Sequence, residues 1–446
     1  MGGFEKVRDL LVTALVFGSL PFIIKRPYIG ILVWSWLSYM NPHRLTWGFA
    51  YSMPFAQIVA LTLIMAIFMD KSKKSIPVDK TTITWGIFFI WLSLSTIFAM
   101  YPSSAWSMYD RIFKIQLVTV LTMMLMTDQK KIDWLVYVIV FSLGFYSIKG
   151  GIFTILTGGA YRVWGPPGSF VEENNSLALA TLMVVPLMIY IYQIATYKWL
   201  KPLMLLAIFL SLASALGSQS RGALLAIMAL GGYFWLSSSY KILTGPLLIV
   251  LAIVAFNFMP ETWHARMETI QNYEEDASAM GRINAWQYSI NVANDRLFGA
   301  GLQSWKPESF MMYAPDPLAV HAAHSIFFGV LGDSGWIGLF LFITVLLMTW
   351  GNLNWVIKNT DQDSHQAKLA KMIKLSIVAY CSGGAFLSLS YFDLPWHLFA
   401  IALLMRHQCT PVRAARRRRN MFDLPGRRGV ESEKPDTYES GFRKGV

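Results

Sequence analysis

The sequence predicts an all-α polytopic membrane protein with about twelve transmembrane helices and one large, partly helical loop outside the bilayer. Three observations predict it. Of 446 residues, 55% are hydrophobic and only 14% charged, with mean hydropathy +0.44, whereas a soluble domain carries about 25% charged residues. Apolar runs of the roughly 17–25 residues that cross a bilayer recur along the chain. Lysines fall in alternate connections between those runs, as positive-inside bias requires.

The stretch 9–41 holds two short apolar runs broken by Lys25-Arg26-Pro27. It crosses once, broken, or twice; the single crossing is the expectation, because it keeps the N-terminus cytoplasmic and gives twelve spans. No small-residue cleavage site follows the first run, which therefore reads as a retained span rather than a signal peptide. Further runs lie at 52–69, 82–101, 111–127, 133–157, 174–195, 199–217, 222–238 and 242–258. After a connection of about 64 residues, 260–323, come 325–350, 370–391 and 394–407.

The connections 70–80, 130–131, 198–201, 241 and 358–374 carry lysine and are placed in the cytoplasm. The loops 101–111, 158–175, 217–221, 260–323 and 391–395 then lie outside. The chain divides accordingly into N-terminal transmembrane helices (1–259), the large periplasmic loop (260–323), C-terminal transmembrane helices (324–408) and a basic cytoplasmic tail (409–446). From Arg406 onward there are 11 Lys+Arg against 5 Asp+Glu, half of the net +12. That cluster, with Arg413 and Arg416-Arg417-Arg418-Arg419, reads as an anchor on anionic membrane lipid. No nucleic-acid-binding module accompanies it. The two cysteines, Cys381 and Cys409, offer neither a structural disulfide nor a thiolate metal site.

Within the large loop, Gly281 to Ala293 reads as an amphipathic helix. Arg282 and Trp286 are four apart and share a face. Phe298-Gly299-Ala300-Gly301 is a turn signal, and Pro307, Pro315 and Pro317 keep the remainder irregular.

The unusual polar groups all fall on the outer side. His324 sits where the large loop enters the bilayer, and Asp333 follows about 13 Å deeper at 1.5 Å per residue. Ionisable groups at such depth default to a functional reading, because hydrocarbon penalises them unless they face a bundle interior or a wet cavity. Arg162 lies in the 158–175 loop, Arg221 in a tight turn between two spans, and Arg266 and Arg282 in the large loop. Positive-inside bias disfavours arginine in outer connections, so a cap on helix carbonyls or an anionic ligand must account for it. A guanidinium fork suits a diphosphate, and several together stabilise a leaving diphosphate without metal. Neutral imidazole, with an ordinary pKa of about 6.5, takes a proton from a sugar hydroxyl; a helix cap is the alternative role for His324. His321 lies one turn earlier. Asp333 reads as a buried partner of an arginine or of backbone donors. Glu274-Glu275-Asp276 is the one acidic run, in a loop where such runs are usually solvated; no metal site or cofactor is expected.

His324-Ser325, nine residues and then Gly335 resembles the H-[NSQ]-x9-G pattern of the O-antigen ligase family. Ser220-Arg221-Gly222-Ala223 resembles the Ser-Arg-Gly motif shared with Wzy-type polymerases, and Gly281-Arg282…Trp286…Leu297-Phe298-Gly299-Ala300-Gly301 the GR…W…GxG signature of the same superfamily. Arg26-Pro27-Tyr28-Ile29-Gly30 to Asn41-Pro42-His43-Arg44-Leu45 looks like a subgroup of O-glycosylation ligases. The resemblance spans about 20–400. It implies a GT-C membrane glycosyltransferase of the bacterial inner membrane that moves a glycan from undecaprenyl pyrophosphate to lipid A–core oligosaccharide in the periplasm, metal-independent and inverting. His324 would then be the general base, and Arg221 and Arg282 would bind the donor diphosphate, with Arg162 and Arg266 assigned by topology and charge. Relatives often carry glutamate where Asp333 stands.

Two alternatives keep the chemistry and change the acceptor: a polymerase joining repeat units, or an O-linked protein oligosaccharyltransferase. A third is a lipid-linked glycan transporter; its inverted repeats and midplane ionisable sites are not evident, and charge concentrates at the outer mouth instead. A monomer or weak oligomer is expected.

Overall fold

The computed structural model describes the backbone at residues 2–72, 74–268 and 277–422; the side chains at 2–6, 262, 266, 268, 277 and 411–422 lie outside the described set. Among the described residues every regular element is helical. In order these are α1 (Gly2–Lys25), α2 (Tyr28–Met40), two short 3-10 turns (Pro42–Leu45 and Phe49–Ser52), α3 (Phe55–Met69), α4 (Lys80–Ile97), α5 (Pro102–Leu125), α6 (Gln129–Leu156), α7 (Asn174–Ile194), α8 (Leu200–Gly217), α9 (Arg221–Ser237) and α10 (Lys241–Phe258). The large loop contributes α11 (Glu261–Glu268), α12 (Ala277–Asp295) and α13 (Pro307–Tyr313), and the chain finishes with α14 (Ile326–Asn359), α15 (His365–Gly384) and α16 (Asp393–Phe422).

Six helices are long and apolar enough to cross a membrane: the Val7–Lys25 part of α1, then α6, α7, α8, α10 and α14. Helices α2, α3 and α9 are shorter and equally apolar. The chain is a multi-pass membrane protein. Side-chain caps start several helices where the sequence offers Asp or Ser, satisfying the orphan N–H groups of the first turn. Asp79 accepts from Thr81 and Thr82, Asp128 from Lys131, Ser220 from Ala223 and Ser364 from Ala367.

The stretch 9–41 is two helices, not the single broken crossing expected. α1 runs through Pro21 to Lys25, and the chain turns at Arg26, which the following proline steers away from helical geometry. α2 then returns. Asp9, near the start of α1, accepts the Ala50 N–H that follows α2 (3.0 Å), and the Arg8 guanidinium sits 4.9 Å from the Trp47 ring centroid. Three other boundaries move. Pro102 starts α5, so 102–111 is helix rather than connection. α15 stops at Gly384, leaving 385–392 as a turn, and α16 continues to Phe422, beyond the expected end at 407.

The helix ends collect at two opposite ends of the bundle. At one, Arg406 meets Asp79 and Asn352, Asn352 donates to Thr81 (3.2 Å), and His365 pairs with Asp133 (3.0 Å). At the other, Met100 donates to the Ala300 carbonyl (2.9 Å), Asn174 to Ser218 (2.7 Å) and Gln219 to Gly159 (3.1 Å). These ends group the same connections that the lysine pattern sorts. The large loop carries its own small core at the second end, in which Tyr288 of α12 stacks on Phe310 of α13 with centroids 4.5 Å apart.

Candidate active site

The site is built on a broken helix. Ser325 caps α14, its hydroxyl accepting from Phe327 and Phe328 (3.3 and 3.4 Å). Ten residues on, Gly335 interrupts the helix at φ 69°, ψ −174°, a region essentially reserved for glycine. The break strands carbonyls in the preceding turn, and each of three finds a new donor. Ala300 N–H reaches the Gly332 carbonyl (2.9 Å), Gly301 N–H (3.1 Å) and the Ser95 hydroxyl (2.5 Å) reach Asp333, and the Trp91 indole reaches Ser334 (2.8 Å). Gly299 approaches so closely that a Cβ there would lie 2.7 Å from the Gly332 oxygen. The Gly299-Ala300-Gly301 turn and Gly335, read as separate motifs in the sequence, are two halves of one joint.

That joint fixes what precedes it. His324 is half-buried and held at φ 41°, a left-handed conformation that costs a non-glycine residue about 1–3 kcal/mol and gathers at functional sites. Its Nδ1 lies 3.3 Å from the Ser388 hydroxyl. Helix α12 braces the strap leading into it. Asn284 donates to the Asp316 and Ala319 carbonyls (2.8 and 3.0 Å), and the Trp286 indole donates to Ala323 (2.7 Å) while its ring stacks on Phe328 at 4.9 Å. His321 is exposed; its ring lies against Gly281, where a Cβ would meet it at 2.5 Å. Burial, then the neighbouring Arg282 charge and His321, push the His324 imidazole down to about 4. It is therefore neutral at pH 7, and Arg282 stands close enough to act on it.

Arg221 opens α9 behind the tight turn in which Gln219 has φ 55°. The next residue, Gly222, packs against Leu387, so a Cβ there would sit 3.3 Å from the Leu387 side chain. Leu387 and Ser388 are adjacent, so the start of α9 and His324 approach the same 385–392 turn. Tyr391 in that turn donates to Asp333 Oδ2 (3.1 Å). The partner of the Asp333 carboxylate is thus a tyrosine rather than an arginine or backbone donors, and its Oδ1 is buried without a hydrogen bond. Ser388 and Tyr391 went unread in the sequence, since the apolar run 370–391 absorbs them; the polar interruption Ser388-Leu389-Ser390 was the available signal.

Not every expected residue joins this group. Arg162 is exposed in its loop, with no hydrogen bond or ion pair among the described residues. Arg266 belongs to α11, but its side chain lies outside the described residues, as do Glu274, Glu275 and Asp276. Among the described residues no three His, Cys, Asp or Glu side chains gather as metal ligands would.

Fold and site together define a helical membrane protein whose polar centre hangs between a loop domain and a broken span. Residues 205–343 match the family model described as O-antigen ligase, and residues 7–196 match a family of unknown function, DUF5935. The first match covers 139 of the 446 residues and supports an O-antigen ligase assignment, of ligase or polymerase type, for that segment. The matched segment contains Arg221, Arg282, Trp286, His324 and Asp333. No curated protein matches the chain significantly.

Proposed function

We propose that the protein transfers a glycan from undecaprenyl pyrophosphate to the terminal sugar of lipid A–core oligosaccharide, with His324 as general base and Arg221 and Arg282 holding the donor diphosphate. The observation that carries this reading is His324 itself: backbone in the left-handed region, neutral at pH 7, one ring nitrogen engaged by Ser388 and a cation beside it. If Nδ1–H donates to the Ser388 oxygen, Nε2 is the free base. Nε2 then takes the acceptor hydroxyl proton as that oxygen bonds to the anomeric carbon. The bond from that carbon to the pyrophosphate oxygen breaks on the opposite face, inverting the centre, and the diphosphate leaves with the electron pair. Arginine charge and the N-terminal ends of α9 and α14 stabilise it, so the mechanism calls for no metal.

In the resting enzyme burial, and then the Arg282 charge, make His324 a weak base. A bound diphosphate offsets that charge and raises the basicity of His324 as the donor arrives. With the lysine-bearing end in the cytoplasm, the His324 end faces the periplasm. Asp333 and Tyr391 act by bracing α14.

Transfer in vitro, with chelator, donor and lipid A–core, tests this. Wild type is expected to ligate and His324→Ala to retain donor binding without ligation. Normal ligation by the variant overturns the histidine base. A wild type that elongates repeat units or modifies a pilin-like protein instead, with this acceptor untouched, overturns the acceptor assignment alone.

A further inference from the structure

A polar cavity of about 260 Å³ opens at the His324 end but outside the site above. Apart from Phe392 and Asp393, it is lined by residues of the 7–196 segment, whose matching family has no known function. It has two arginines. Arg44 belongs to the Asn41-Pro42-His43-Arg44-Leu45 motif, and its guanidinium is held 4.6 Å from the Tyr51 ring centroid. Arg111, exposed on α5, lines the cavity with it. Neither has a carboxylate partner among the described residues. Asp393, on the same lining, is 7% exposed; the Ser38 hydroxyl donates to its Oδ2, and its Oδ1 is buried without a hydrogen bond. Phe170 and Phe392 add aromatic faces.

Two cations suit an oxyanion, an unpartnered carboxylate oxygen suits a hydroxyl donor, and aromatic faces suit the apolar side of a sugar ring. The volume is just under the ~300 Å³ at which pockets for drug-sized ligands begin, so it admits one sugar-sized unit rather than a chain. We propose that this cavity is a substrate subsite for a sugar bearing a phosphate or carboxylate, with Arg44 and Arg111 on the oxyanion and Asp393 accepting from a ring hydroxyl. Phe392 follows Tyr391 directly, so the same 385–392 turn that touches His324 and Asp333 forms one wall of the subsite. Only the statement that a transfer substrate brings the sugar rests on the proposed function.

Calorimetric titration of the full chain in neutral-lipid nanodiscs with glucose 1-phosphate, glucose and inorganic phosphate tests the subsite directly. Glucose 1-phosphate is expected to bind, with glucose at least about tenfold weaker. Arg111→Gln and Arg44→Gln should each weaken it by about 10–100-fold, the value of a charge-assisted hydrogen bond, with thermal unfolding showing that both variants fold. Asp393→Asn should lower the preference for glucose 1-phosphate over inorganic phosphate. His324→Ala should bind the probe as wild type does, so failure of transfer and failure of the subsite are read separately. Equal binding of glucose, wild-type affinity in both arginine variants, or displacement of the probe by phosphatidylglycerol would each overturn the proposal. In transfer assays, a raised KM in Arg111→Gln for the acceptor alone assigns the subsite to the acceptor, and for the donor alone to the donor; unchanged KM for both overturns it.

Discussion

At the lysine-bearing end of the bundle each carboxylate among the described residues has a donor. Asp70 takes Ser72, Asp79 the N-terminus of α4, Asp128 Lys131, Asp133 Tyr190 and His365, Asp361 the Asp363 N–H, and Asp363 Lys368. At the His324 end Asp333 and Asp393 each keep one buried oxygen without a partner, and His324 holds a strained backbone. An unsatisfied buried polar group costs about 1–3 kcal/mol, so these two carboxylates give up stability that those of the first end retain. The first end has its own buried atoms without a partner, Gln129 Oε1 and Gln408 Nε2, but no carboxylate oxygen is among them.

The sharpest way to break this contrast is His324→Ala. Loss of a general base should lower transfer by about 10²–10⁴-fold with thermal unfolding nearly unchanged; a rate within tenfold of wild type would remove the distinction between the ends. Gly335→Ala should follow, destabilising by about 3 kcal/mol, because strain at φ 69° is joined by a Cβ 2.5 Å from the Leu297 oxygen. Gly351→Ala in the same helix meets nothing within 4 Å and should be neutral or stabilising by up to about 1 kcal/mol. Equal unfolding midpoints for the two would dismiss the joint.

Tyr391→Phe leaves Asp333 without its one side-chain donor and should cost about 1–3 kcal/mol in denaturant unfolding. The pH profile sharpens the same comparison. His324 must be neutral to act, so kcat/KM, which reports the free enzyme, should fall as pH drops through about 4. The acid limb of kcat, which reports the donor complex, should lie higher as the diphosphate offsets the Arg282 charge. Coincident limbs would deny that donor and histidine are neighbours. The smallest effect is expected at the matched end: Asp133→Asn should lower stability by about 1 kcal/mol and leave kcat unaltered.

Much of this was legible in the chain. Apolar run length and lysine placement determine an all-helical membrane protein and sort its connections into two sets, because both follow from local transfer free energies. The helix around Arg282 and Trp286 is likewise local pattern. The reversal at Arg26-Pro27 was ambiguous in sequence, since Asp9 and Ala50, which close it, lie 41 residues apart. Only the tertiary structure decided that Ser95 meets the Asp333 carbonyl across 238 residues, that Ser388 meets His324 across 64, and that Arg44, Arg111 and Asp393 share one cavity. Periodicity reports how a residue faces its own helix; which distant residue waits on that face is set by packing the helices together.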